Sequence, residues 1–425
     1  MEQGPTVPAY ILRGHEAPVH ALHFYADNSF LASGDSDGWM VLWSLSSKRP
    51  VAVWKAHEAG ILQIQHWTKD RLISMATKRH HDGRHSHGRD HKLRVWQVRP
   101  ETLASLSRKL PAEETISTSD LPHPWLLHSL SVSALNFCAF SMCNEDTAGE
   151  AAGEAPPQLI ASPNGLDSGG IDIFQLPSEK RVSQIGSDKN DPTGMVMAVS
   201  LWHQRDEPSS RLVLAAGYED GRVTVHVHQG DLDGSTQAIG QTWKKVLIAK
   251  PHIQPVLSVK ILPSQSQFLT SSADASIAKF SVPTLSETAV HETRPEKAVN
   301  TKHAGQQGLS IRSDGRVFAT AGWDGRVRVY SYRTMKELAV LKWHKVGVYS
   351  TAFADVSSED DVDVSNGSEE LTSSPNTTPP TPAPGISRPM SALDLIKQKR
   401  EDKARRIHWL AAGGKDGKIS LWDIY

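Results

Sequence analysis

The chain has 425 residues, 38% of them hydrophobic, and its 46 Lys plus Arg nearly balance 47 Asp plus Glu, leaving a formal net charge of −1. Bulk charge therefore gives no reason to expect nucleic acid or an anionic membrane as partner. Two cysteines, Cys138 and Cys143, are too few to staple a secreted scaffold of this size. With no N-terminal signal sequence and no run of about 18 apolar residues, a nuclear or cytoplasmic protein is expected.

From the N-terminus, Tyr10-Ile11-Leu12 reads as a strand running into Gly14-His15, and Val19 to Phe24 then alternates apolar with polar residues. Leu31-Ala32-Ser33-Gly34 and Trp39 to Trp43 form a hairpin across Asp37-Gly38, residues that tolerate positive φ. Strand, Gly-His turn, strand, strand, Asp-Gly turn, strand is one four-stranded blade's worth of chain.

This hairpin recurs, most cleanly in Phe318 to Tyr330, FATAGWDGRVRVY. An Asp followed six positions later by an aromatic residue or His occurs as Asp37/Trp43, Asp90/Trp96, Asp220/His226, Asp274/Phe280, Asp324/Tyr330 and Asp416/Trp422, with Asp167/Phe174 one residue longer. Equal spacing on a variable background identifies an array of hairpin-bearing units. The units run His15 to Trp43, His57 to Trp96, a weak one across His128 to Phe174, and a fourth ending at Asp220 to His226. His252 to Phe280, His303 to Tyr330 and His344 to Trp422 complete seven.

Roughly 60 residues per unit is long for such repeats, which typically take about 40 to 45. Insertions account for the excess: a His-rich loop over 75–86, a linker over 101–120, an Ala/Gly/Glu loop over 145–157 and a Ser/Thr/Pro-rich acidic insertion over 355–406 within the last unit. The last is too poor in apolar residues to fold alone as far as Pro389. It ends in Ser391-Ala392-Leu393-Asp394, which has capping-box form, and a short basic helix over Lys397 to Arg406. That helix reads as a solvated element leading back to a strand, with nuclear localisation or an acidic partner as the alternative.

Gly-His, Ser-Gly, Asp and a strand ending in Trp together resemble the WD40 repeat, the blade unit of β-propellers, over nearly the whole chain. The resemblance implies an all-β fold: one seven-bladed WD40 β-propeller spanning residues 1–425, with helical or disordered insertions. Closure has its own argument, because the chain opens with an orphan strand and ends at Ser420-Leu421-Trp422-Asp423, a third strand lacking its fourth partner. Pairing the two removes an open edge.

Ser, His and Asp recur together, as in a hydrolase triad. The resemblance implies a structural role instead: turn His, strand Ser or Thr, hairpin Asp and final aromatic residue brace each blade. His15, Ser33, Asp37 and Trp43 fit that pattern, as do His57, Ser74, Asp90 and Trp96, then His303, Thr320, Asp324 and Tyr330, with Asp416 and Trp422 closing the chain. No catalytic residue is assigned. His80, His81, His85, His87 and His91, with Asp82 and Asp90, are metal-ligand types without fixed spacing, cysteines or an aligning helix, so they read as a polar loop. No phosphate-binding glycine signature occurs, and no cofactor is expected.

The family pattern also places the residue before each hairpin Asp on one rim of the ring: Ser36, Arg89, Leu166, Glu219, Ala273, Trp323 and Lys415. Trp, Arg, Glu and Lys there suit a protein partner, since interface energy concentrates in aromatic and Arg anchors, although Trp323 packing over its own turn is the alternative. The opening ILRGHEAPVHALHFYADNSFLASGDSDGWMVLWSL, the phrase HGRDHKLRVWQ and the ending LAAGGKDGKISLWDIY resemble the ASTRA-associated protein 1 family, WD-repeat subunits of the fungal ASTRA complex. That resemblance implies a monomeric propeller bound to the protein subunits of an ASTRA-like nuclear complex. Its functions would be chromatin remodelling and biogenesis of phosphatidylinositol-3-kinase-related kinases, without direct nucleic-acid or membrane binding. A histone-tail reader, with Trp323 caged by Trp39 or Tyr218, and a ubiquitin-ligase substrate adaptor are the rival readings.

Overall fold

Short strands rich in β-branched and aromatic residues, punctuated by Gly, Asp and Asn turns, favour antiparallel meanders. The chain folds into seven of them. The computed structural model describes residues 7–77, 90–113, 122–133, 137–145, 155–206, 209–230, 232, 242–283, 291–356 and 392–424.

β1 (Tyr10–Leu12) opens the chain, and the first blade is β2 (Val19–Tyr25), β3 (Phe30–Asp35), β4 (Trp39–Ser44) and β5 (Arg49–Lys55). The second is β6 (Gly60–Thr68), β7 (Arg71–Thr77) and β8 (Lys92–Gln97), followed by helix α1 (Pro100–Ala104) and then the outer strand β9 (Trp125–Ser131). β10 (Ser141–Asn144), β11 (Gln158–Pro163), β12 (Ile171–Leu176) and β13 (Lys180–Ile185) make the third. The fourth holds β14 (Val196–Asp206), β15 (Ser209–Tyr218), β16 (Val223–His228) and β17 (Trp243–Ala249). The fifth holds β18 (Val256–Ile261), β19 (Gln267–Ser272) and β20 (Ser276–Ser281). Next comes β21 (His291–Glu292), which pairs parallel to β17, and then β22 (Lys297–Asn300), the outer strand of the fifth blade. β23 (Gln306–Ile311), β24 (Val317–Gly322), β25 (Val327–Ser331) and β26 (Glu337–Leu341) form the sixth. The seventh is β27 (Val348–Phe353), then, after helix α2 (Ala392–Arg406), β28 (Trp409–Gly414) and β29 (Ile419–Asp423).

β1 supplies the missing fourth strand of that last blade, with Tyr10 opposite Leu421 and Leu12 opposite Ile419. The fold is a seven-bladed β-propeller closed by its two ends. Innermost strands touch from β10 through β14, β18, β23, β27 and β2 to β6. Seven apolar clusters each join two successive blades, which is why the strands carry apolar residues on both faces. Val41 and Trp43 face the seventh blade, whereas Met40 and Leu42 face the second.

Two boundaries differ from the sequence reading. His128 belongs to β9, the outer strand of the second blade, because the segment after β8 delays that strand's return; the third blade starts only at Ser141. The described part of the 101–120 stretch, residues 101–113, is a strap rather than a spacer: Leu103 and Leu106 are buried in the cluster between the first two blades, and Ser107 bridges Val53 on β5. Met75 to Thr77 lie inside β7, so the His-rich insertion begins after them; residues 78–89, 114–121, 146–154 and 357–391 fall outside the described residues.

Candidate partner-binding rim

The blade networks hold the turns that form the rim. In the first blade His15 Nε2 bonds Ser33 Oγ at 2.8 Å, and Trp43 Nε1 donates to the same oxygen at 2.8 Å. The carboxylate partner differs from the sequence reading: Asp35, not Asp37, meets His15 Nδ1 at 2.6 Å. Asp35 wins because it lies at the buried end of β3, where its other oxygen also accepts the N–H groups of Asp37 and Trp39 at 3.0 and 2.9 Å; Asp37 sits exposed at the turn.

The second blade joins His57 Nε2 to Ser74 Oγ at 2.7 Å, Trp96 Nε1 to the same oxygen at 2.8 Å, and His57 Nδ1 to Asp90 at 3.3 Å. Burial lowers the His57 pKa, and the His57 hydrogen bond holds the Asp90 carboxyl low against its own burial. Asp90 is thus committed to the blade. His80, His81, Asp82, His85 and His87 fall outside the described residues, and among those described no group of three His, Cys, Asp or Glu could hold a metal.

The sixth blade corrects another expected network. His303 remains half exposed, 3.5 Å from Asp324, while Gln306 reaches inward to accept from Thr320 Oγ1 at 2.7 Å. Asp324 is claimed by Arg328 at 2.6 Å, which outweighs burial and keeps the carboxyl low, and Tyr330 stacks on Phe318 with centroids 4.9 Å apart. In the seventh blade the strand position for Ser is Ala412, so Ser420 from the neighbouring strand bonds both His344 Nε2 at 2.8 Å and Trp422 Nε1 at 2.9 Å; Asp416 stands 3.9 Å from His344 Nδ1. In the first, second and seventh blades one Ser hydroxyl thus joins a buried His to a buried Trp, which commits those groups to bracing.

On top of that brace, one backbone hydrogen bond repeats. The residue before the hairpin Asp donates its N–H to the carbonyl just ahead of its own blade's innermost strand: Glu219 to Met195 at 2.9 Å, Ala273 to Pro255 at 3.0 Å, Trp323 to Gly305 at 3.1 Å and Lys415 to Gly347 at 2.8 Å. Ser36, one residue before Asp37, does the same to Pro18 at 2.9 Å. The bond draws the turns onto one rim beside the inner strands. Leu166 is fully exposed there, and Arg89 falls outside the described residues.

Trp323 is 46% exposed, and its Nε1 donates to Gln307 Oε1 at 2.9 Å. Its ring lies across Gly305, whose φ is +76°, so it both covers its own turn and shows an open face. The loop Lys345 to Gly347 of the next blade packs alongside: a Cβ on Gly347 would sit 3.3 Å from the Trp323 carbonyl oxygen, and Gly347 in turn holds Lys415. Trp323, Val346 and Lys415 are therefore contiguous. Ile253 (84% exposed) and Val346 were not singled out in the sequence; the available signal was an apolar residue just after the turn His252 or His344. Trp39 and Tyr218, the proposed walls of a methyl-lysine cage, are buried at 9% and 4% exposure and offer Trp323 no open ring.

The model for the family described as ASTRA-associated protein 1 matches residues 8–422. The chain belongs to that family. Among its curated members, ASTRA-associated protein 1 of Penicillium rubens is 48% identical over 100% of this chain and 98% of its own length. The Aspergillus niger protein is 46% identical with the same coverage, and that of Pyricularia oryzae is 38% identical over 99% of this chain and 98% of itself. Each carries the family name, which states an association with ASTRA.

Proposed function

We propose that the protein is a non-enzymatic scaffold subunit of an ASTRA-like assembly. It holds other protein subunits against the rim formed by Trp323, Val346 and Lys415, with Glu219 and Ile253 further round the ring. The observation that carries this reading is the contiguous half-open indole, apolar and cationic patch on turns held rigid by the repeated backbone bond. Such a surface can anchor a partner at little ordering cost. By extension from the family, the assembly works in the nucleus, in chromatin remodelling and in biogenesis of phosphatidylinositol-3-kinase-related kinases.

A tagged pull-down from nuclear extract with mass spectrometry tests it, run with the wild type and with Trp323→Ala. Recovery of ASTRA-type subunits, reduced in the variant, is expected. Recovery of ubiquitin-ligase subunits or of histones alone would replace the reading.

A further inference from the structure

Among the described residues, helix α2 is fastened to the propeller through its C-terminal turn. Its last turn is held firmly: Ala404 is buried, Trp409 Nε1 donates to the Ala404 carbonyl at 3.0 Å, and Arg405 Nε donates to Ser29 Oγ at 2.9 Å. Leu393, Ile396 and Arg400 precede Ala404 at spacings of three, four and four, so all four share one helix face. That face points toward the propeller at its fastened end, yet Leu393 is 78% and Ile396 50% exposed. Between it and the first blade runs a groove of about 690 Å3, walled on the far side by Phe30, Pro50 and Val51.

Charge identifies what fits. Arg49, Arg108, Lys397, Arg400 and Arg405 line the groove against a single carboxylate, Glu401. Among the described residues Arg49, Arg108, Lys397 and Arg400 form no ion pair. An apolar cleft ringed by cations complements a segment that carries both apolar and acidic side chains. A nucleic acid would satisfy the cations but leave Leu393 and Ile396 uncovered.

We propose that this groove docks an acidic amphipathic peptide segment of a protein partner. Its apolar side chains lodge between Leu393, Ile396 and Val51, and its carboxylates pair with Arg49, Arg108, Lys397 and Arg400. Because successive strands reverse direction, the β2–β3 and β4–β5 turns and the β27–β28 insertion lie on the rim opposite the β24–β25 turn that carries Trp323. The chain then has two separable attachment faces, and the groove stands whether or not the Trp323 rim binds anything.

The test is an anisotropy titration of the full chain with a short labelled peptide alternating Glu or Asp with Leu and Phe. The comparison peptide replaces the acids by their amides. Binding of the acidic peptide alone is expected, weakened about tenfold or more by Lys397→Glu with Arg400→Glu and by Leu393→Ser with Ile396→Ser. Melting temperatures should hold, since these side chains are exposed, and Trp323→Ala should bind as wild type. Equal binding of the amide peptide, or no effect of either double substitution, would overturn the proposal. So would a single-stranded oligonucleotide that displaces the peptide and binds the Leu393→Ser, Ile396→Ser chain undiminished. If changing Glu359, Asp360, Asp361 and Asp363 to amides tightened peptide binding about tenfold, the occupant would be the chain's own acidic stretch and the partner assignment would fall.

Discussion

Asn28 and Asp355 hold each other through a closed pair of hydrogen bonds: Asn28 Nδ2 donates to the Asp355 carbonyl at 2.7 Å, and Asn28 Oδ1 accepts the Asp355 N–H at 2.9 Å. The same Nδ2 also reaches the Arg405 carbonyl at 3.2 Å. One buried amide on the β2–β3 turn therefore ties together both roots of the long insertion between β27 and β28, 50 residues apart along the chain (405 minus 355). Asn suits the site twice, since its φ is +58°, a conformation Asn tolerates better than most residues.

Asn28→Ala should destabilise the protein by about 2 to 3 kcal/mol through lost buried hydrogen bonds and left-handed strain. Asn28→Gly should recover only the strain. Hydrogen exchange at Asp355 and Val356 should quicken in both variants, and unchanged protection there would show that the amide does not clamp the insertion.

The two tryptophans at equivalent hairpins should behave oppositely. Trp422 is fully buried, and Trp422→Ala should cost about 3 to 5 kcal/mol as a large-to-small change in a core. Trp323→Ala should stay within about 1 kcal/mol by urea denaturation, since the ring is half exposed. Equal destabilisation by both would mean that Trp323 is a packing residue and not an anchor.

Gly305 offers a way to move the indole without removing it. Any Cβ there runs into the Trp323 ring and also meets φ of +76°. Gly305→Ala should therefore displace the ring, reduce partner recovery in the pull-down to the level of Trp323→Ala, and add about 1 kcal/mol of backbone strain. Undiminished recovery would argue that the position of the ring is unimportant.

Much of this was legible in the sequence, for a physical reason: each blade repeats the same local problem, so the spacing of Asp to an aromatic residue or His reported it six times, with the third blade one residue out of step. What was not legible depended on choices between near neighbours. Asp35 and Asp37 both flank the first turn, and only burial decides which faces His15. His303 looks like the other turn histidines, but Gln306 lies close enough to take its place, and Arg328 then captures Asp324. The groove beside α2 pairs residues more than 340 positions apart, such as Val51 and Leu393, and no local pattern encodes that.

The carboxylate exchange in the first blade can be checked directly. Asp35→Asn should cost about 1 to 3 kcal/mol, because it weakens a buried charge-assisted bond to His15 and disturbs the cap over the turn. Asp37→Asn should fall within about 0.5 kcal/mol, as for most exposed substitutions. The reverse order in thermal melts would restore Asp37 to the network.

The buried histidines make stability fall on mild acidification. Burial pushes His344 down to about 4, partly offset by Asp416, and pushes His226 down to about 3, with Lys245 adding to the effect. Both are neutral in the folded ring, whereas the unfolded chain takes up protons at the ordinary value of 6.5. Since the unfolded state binds more protons, stability is fully present above 6.5 and declines as pH falls toward the folded values. Each histidine gives up about 2 kcal/mol between 6.5 and about pH 5. Urea denaturation at neutral pH and at about pH 5 should show that loss. His344→Gln should lower stability at neutral pH by removing the Ser420 bond, yet flatten the pH slope by one histidine's share; a slope as steep as wild type would show that His344 is not the group taking up the proton.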